Sequence, residues 1–245
     1  MAEAHAVQDA VAIKLGAAIA GYEATAPAVP GQSRNEDEIN ATETADALWL
    51  RTEGIRALIY DTTSTHHLVP FRRGMPQCGV EGEIAFRFQC DLPPRAAPYT
   101  HDEIAAFTDA HPTIEVVSSR FASPERNSFL DELADCMSNG GLVYGPGNPE
   151  WQRLRLAELR VMLIVNGKTV ADQIGGHPTR DPFGIVVALV EMMRRTTGVS
   201  AGQLVTTGSF TGLRYFKPSD VCEVRFEGIG AAQLTFLPGS IASVS

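Results

Sequence analysis

The chain has 245 residues, of which 44% are hydrophobic and 20% charged, so it can bury a core as one large domain or a domain with a small appendage. Its formal net charge is −9 and it has no cluster of Lys and Arg. This argues against nucleic acid as a partner, because phosphate binding needs grouped cations. Cys78, Cys90, Cys136 and Cys222 show neither CxxC nor zinc-finger spacing and read as reduced thiols, mostly buried. The apolar stretch from Ala6 to Ala20 carries Lys14 inside it and is too short to span a membrane. It reads as neither a signal peptide nor an anchor, and a cytoplasmic protein without membrane partners is expected.

In chain order, "VQDAVAIKLGAAIAGYEA" is alanine-rich and predicts a helix, and "TAPAVPGQSRNEDE" predicts a loop. "NATETADALWLRT" predicts a second helix, with Asn40 as N-cap and Glu43 completing a capping box. "GIRALIYDTTSTHHLVPF" has strand-like pieces around a polar Thr/Ser/His loop. From Gly79 onward the pattern is mostly β. "EIAFRFQC", "TIEVVSSRF", "RVMLIVNGKTVAD", "QLVTTGSFTG" and "CEVRFEGIGAAQLTF" alternate or are β-branched, with Asn166-Gly167 at a hairpin tip. The interrupting helices are "THDEIAAFTDAH", "SFLDELADCMS" and "DPFGIVVALVEMMRRTTG", the last apolar all round from Ile185 to Met193 and therefore buried. The pattern is that of an α+β protein with a many-stranded mixed sheet and a helical N-terminal arm over residues 1–55.

The chemistry centres on "GVEGEIAFRF". In a strand, Ile84, Phe86 and Phe88 share one face, while Glu81, Glu83, Ala85 and Arg87 share the other. Two carboxylates that close raise each other's pKa unless a cation lies between them. Gly82 clears bulk from the opposite face so that another backbone can approach. Alone, such a pair more often marks a solvated strand face. Glu115 changes the weighing, because it lies inside the β-branched run "TIEVVSSRF", where an unpaired buried charge is costly. Three carboxylates suit Mg2+ or Mn2+, which take carboxylate oxygens and leave positions open for substrate.

The ordered segments "VEGEIAF", "TIEVVSSR", "LADCMSNGGLVYG", "VNGKTVAD", "GGHP", "LVTTGSFTG" and "FEGIGAAQLTF" resemble the fumarylacetoacetate hydrolase superfamily. The nearest branch is that of the 2-hydroxypenta-2,4-dienoate hydratases and 4-oxalocrotonate decarboxylases. The resemblance implies a mixed β-sheet roll or barrel-like core in a catalytic domain over residues 56–245. It implies Glu81, Glu83 and Glu115 as ligands of Mg2+ or Mn2+, and a 2-oxo or 2-hydroxy-dienoic acid as substrate. The metal then stabilises the 2-enolate formed during proton transfer. Ser138, Ser209 and Thr211 fall where the family contacts substrate, and His177 in "GGHP" reads as a structural residue capping the helix that follows. A homo-oligomer, or assembly with a related hydratase or decarboxylase subunit, is also implied.

The chain departs from that pattern around the pocket. The family lysine before the Glu pair corresponds to Arg56, which can clamp a carboxylate but cannot shuttle a proton near neutral pH. Ser118 and Cys136 replace a family acid and a family Asn. Asp61, His66 and His67 in "DTTSTHHL" are the replacement candidates for acid–base work. The leading expectation is a metal-dependent hydratase. The alternatives are a decarboxylase of a 4-oxalocrotonate-like diacid, a tautomerase, C–C lyase or cyclase on the same platform, and a non-catalytic paralogue serving as a structural partner.

Overall fold

The computed structural model describes residues 2–16, 18–25, 55–59, 62–64, 67–70, 78–121, 123 and 126–237. The alanine-rich start forms helix α1, Ala2–Leu15, which ends earlier than its composition predicts. Residues expected to continue it form strand β1, Gly21–Thr25, because pairing to a neighbouring strand outweighs a weak helix propensity. The helix expected over "NATETADALWLRT" lies outside the described residues. Then come β2 (Ile55–Ile59), β3 (Thr62–Ser64), β4 (His67–Pro70) and the long β5 (Cys78–Phe88).

Helix α2, His101–Ala106, starts at a capping box between Thr100 and Glu103. The sequence extends this helix to His111, but β6, Thr108–Val117, begins two residues after its end. The full ladder with β5, from Gly79 opposite Val117 to Phe88 opposite Thr108, claims those residues. Helix α3 (Phe129–Ala134), β7 (Asn139–Tyr144) and the hairpin β8 (Arg160–Val165) and β9 (Lys168–Ile174) follow. Asn166 and Gly167 both have positive φ at the hairpin tip, as their type predicts. Helix α4, Pro182–Met193, is capped by the Asp181 side chain, not by His177 as the sequence suggested. The remaining strands are β10 (Leu204–Ser209), β11 (Arg214–Phe216), β12 (Val221–Phe226) and β13 (Gly230–Leu237).

The main sheet runs β2-β1-β10-β5-β6-β7-β3, with β11 pairing β5 beyond the end of β10. The second runs β4-β13-β12-β8-β9. The main sheet curls until β2 contacts β7, making a roll with an apolar outer face and a polar inner face. Val80, Ile84, Phe86 and Phe88 are buried on the outer face. Phe86 packs edge-on against Trp151 at 4.9 Å and Phe183 of α4 at 5.0 Å. Phe210 meets Phe226 at 5.1 Å and ties the two sheets together. Each such ring contributes roughly 1.5–3 kcal/mol of burial, which fixes the register of β5 and hence which residues face inward.

Candidate metal centre

The ladder of β5 with its neighbours lays the inner face out in cross-strand rows. Glu81 pairs with Glu115, and Glu115 with Leu142. Glu83 lies between Ser209 and Thr113, and Thr113 pairs with Tyr144. Ala85 lies between Thr206 and His111, with Glu23 beyond Thr206. Arg87 lies between Leu204 and Asp109. Thr206 and Ser209 are an odd number of residues apart and share a face only because β10 bulges between them. Gly208 sits in that bulge with φ +105°, a conformation side-chain-bearing residues avoid, and its N–H donates to Glu83 Oε2 at 3.1 Å.

One carboxylate oxygen from each of Glu81, Glu83 and Glu115 lies within 4.8 Å of the others. Glu83 and Glu115 are 1% exposed. Burial pushes the Glu83 carboxyl well above its usual range, and the charges of Glu115 and Glu81 add to the rise; the bulge N–H groups oppose it. Burial likewise raises Glu115, with Glu23 and Glu81 next, against a hydrogen bond from Asn139. Neither Glu83 nor Glu115 has a cationic partner among the described residues.

Glu23 is the residue that sequence reasoning missed. Its carboxyl lies beside that of Glu115, and burial, with the charges of Glu83 and Glu81 next, pushes the Glu23 carboxyl well above its usual range as well. Its signal was hidden because "AAIAGYEA" reads as the tail of a helix, which gives Glu23 no inward direction.

Glu115 is oriented from behind. Asn139 Nδ2 donates to Glu115 Oε1 at 2.7 Å. Asn139 follows three residues, Cys136, Met137 and Ser138, that all have left-handed φ (53°, 53° and 64°), a turn costing about 1–2 kcal/mol per residue. The sequence extends helix α3 through this stretch; the structure reverses its hand. Arg120 holds the turn, with its guanidinium on the Asp135 carboxylate and donating to the backbone oxygens of Asp135 and Asn139. Ser119 Oγ adds a 3.0 Å bond to Asp135.

Of the predicted substrate contacts, Ser209 lies in the Glu83 row with its Oγ buried and unpaired. Thr211 is engaged otherwise: its Oγ1 accepts from Gly82 N at 2.9 Å and donates to Gly212 O at 3.2 Å, so it fixes the backbone between the two glutamates. Gly82 gives way to the side chains of Val224 and Thr211, not to another backbone as expected. Ser138 sits in the left-handed turn, its carbonyl accepting from Ser118 N at 2.6 Å. His177 donates from Nε2 to Thr207 O at 2.6 Å, which supports the bulge; burial lowers its pKa to about 4, so it is neutral. Asp61 and His66 lie outside the described residues. In the β1–β2 ladder Arg56 pairs with Ala24, and Ala57 pairs with Glu23. His67 pairs with Leu234 in the second sheet.

The donor set fits a hard divalent cation. It offers only carboxylate oxygens, and Glu115 Oε2 and Glu23 Oε2 are buried without any hydrogen-bond partner. A curled mixed sheet with an acidic centre on its inner face defines a class of α+β proteins, and comparison with known proteins narrows it. Residues 56–237 match the fumarylacetoacetate (FAA) hydrolase C-terminal family, and the chain belongs to that family. It is 31% identical over 159 residues to a 2-keto-4-pentenoate hydratase of Paraburkholderia xenovorans (strain LB400), a match covering 64% of this chain and 58% of that protein. It is 26% identical over 193 residues to a 4-oxalocrotonate decarboxylase of Pseudomonas putida, covering 75% and 71%. The chain thus spans less than two thirds of the hydratase's length. The 4-oxalocrotonate decarboxylase of Pseudomonas putida G7, solved with magnesium and adipate, shares the fold with a TM-score of 0.73 at 20% identity, over 96% of this chain and 86% of that one.

Proposed function

We propose that this protein is a divalent-metal-dependent lyase acting on a 2-oxo or 2-hydroxy-dienoic acid, adding water to its conjugated double bond. The observation that carries the reading is the convergence of Glu81, Glu83 and Glu115 inside the roll, with Glu115 Oε2 buried and without a hydrogen-bond partner and, among the described residues, no cation paired with Glu83 or Glu115. A hydratase and a decarboxylase among its relatives support a lyase on this platform. Mg2+ or Mn2+ held there would supply Lewis acidity to the substrate's C1 carboxylate and C2 oxygen and stabilise negative charge developing at that oxygen.

The chain's own residues do the rest. Gly208 N–H and Asn139 Nδ2 hold Glu83 and Glu115 in place, so little is spent on reorganisation when substrate arrives. Ser209 Oγ, unpaired beside Glu83, is available to a substrate oxygen. Proton transfer falls to the segment carrying Asp61, His66 and His67. β3, between Asp61 and His66, pairs with β7 at Leu142 and Tyr144, the residues next to Glu115 and Thr113 on the inner face. Mass spectrometry of products from a panel of 2-hydroxydienoates and 4-oxalocrotonate-like diacids, with and without Mg2+, tests the reading. Gain of one water only when Mg2+ is present is expected. Loss of CO2 would make the protein a decarboxylase, and unchanged substrates with every metal would remove the lyase reading.

A further inference from the structure

Apart from the metal centre, we infer that the cleft beside the far end of β5 is a second ligand site, which takes a small monocarboxylate with an apolar tail. The cleft has a volume of about 850 Å³, within the range of small-molecule sites. Ala12, Ile13 and Ile19 line one side of it, and Arg87, Tyr144 and Leu204 the other. On the inner face Ala85 separates Arg87 from Glu83 and is fully buried in a cluster with Leu142 and Leu204. A ligand in the cleft therefore does not reach an ion held by the glutamates.

Arg87 supplies the charge. It is half-buried, and among the described residues no carboxylate pairs with it. Its Nε makes only a long, 3.4 Å bond to Gly202 O. Asp109, directly opposite on β6, accepts instead from Gln89 Nε2 at 2.9 Å. A guanidinium so little engaged offers its planar fork to the two oxygens of a carboxylate. With Asp109 opposite, a single negative charge suits the position, and a dianion such as phosphate is repelled.

The other side supplies apolar contact. Ile13 is 82% exposed, the most exposed large apolar side chain among the described residues, and Ala12 and Ile19 near it are half-buried. Methylenes laid against these groups leave water, which favours an acid with a tail over a bare one. The two sides are set before any ligand arrives. Gln203 Nε2 donates to Ile19 O at 3.1 Å, and Leu204 N to Ala20 O at 3.2 Å. Ala201 N donates to Asp91 Oδ1 at 2.8 Å and holds the 200–203 loop. A cleft fixed in this way loses little freedom when it is filled.

Calorimetric titration of chelator-treated protein with hexanoate tests this, since a carboxylate then has no ion to chelate at the glutamates. One hexanoate per chain is expected, bound at least about tenfold more tightly than acetate or 1-hexanol. Arg87→Gln should bring hexanoate affinity down to that of the alcohol. Ile13→Ser, a change at an exposed position, should bring it toward that of acetate. Mn2+ affinity should match wild type in both variants, which separates the cleft from the metal centre. No saturable binding of hexanoate, undiminished binding in either variant, or binding that appears only when Mg2+ is added would each overturn the inference.

Discussion

Glu23, Glu83 and Glu115 are acids that the fold prefers protonated, because burial and mutual repulsion raise all three above the ordinary 4.5. A group whose folded pKa is raised stabilises the fold fully below its unfolded pKa, and that stability is lost as pH rises through the folded value. Chelator-treated protein should therefore melt at progressively lower temperature as pH rises above the ordinary carboxyl value of 4.5. Saturating Mg2+ should flatten that slope by compensating the charges. A metal-free melting temperature independent of pH across this window would show that the carboxyls are not clustered in solution. At this scale the sequence was partly legible. Glu81 and Glu83 could be read because strand alternation assigns them one face, and Glu115 because it interrupts a β-branched run. Glu23 could not, since only its pairing two strands away from β5 turns it inward.

The β5 strand is exposed to error at Gly82. A Cβ there would lie 2.7 Å from Val224 Cγ2 and 2.9 Å from Thr211 Cγ2. Both neighbours are buried and branched at Cβ, so they cannot swing away cheaply. Gly82→Ala should cost about 1–3 kcal/mol in urea denaturation, and it should weaken metal binding by shifting the glutamates on either side. A neutral substitution would mean that the two sheets are not packed at this point. Strand existence and face were legible in the alternating residues, but three element boundaries were not. β1 was absorbed into a helical pattern, β6 takes over from α2 without a Gly or Pro to mark the change, and α3 gives way to a left-handed turn. In the last case the cause is distant in sequence, as Arg120 anchors the turn from the end of β6. The bulge that places Thr206 and Ser209 on one face is equally silent, because Gly208 alone could mark a turn.

For the whole molecule, curling is what converts rows on a sheet into a centre. Strand alternation brings Glu81 and Glu83 to one face, the β5–β6 ladder adds Glu115, and only the closing of the roll brings the Glu23 carboxyl beside that of Glu115. The ordered family segments made the roll legible, whereas the inward contribution of the N-terminal segment depends on parallel pairing of β1 with β10, for which short-range pattern carries no signal. The most direct measurement is an electron paramagnetic resonance titration of chelator-treated protein with Mn2+, comparing wild type with Glu83→Gln and Glu115→Gln. One Mn2+ per chain, displaced by Mg2+, is expected, with affinity at least about tenfold weaker in each variant while both stay folded. Absence of Mn2+ binding in the wild type, or equal affinity in all three proteins, would contradict it.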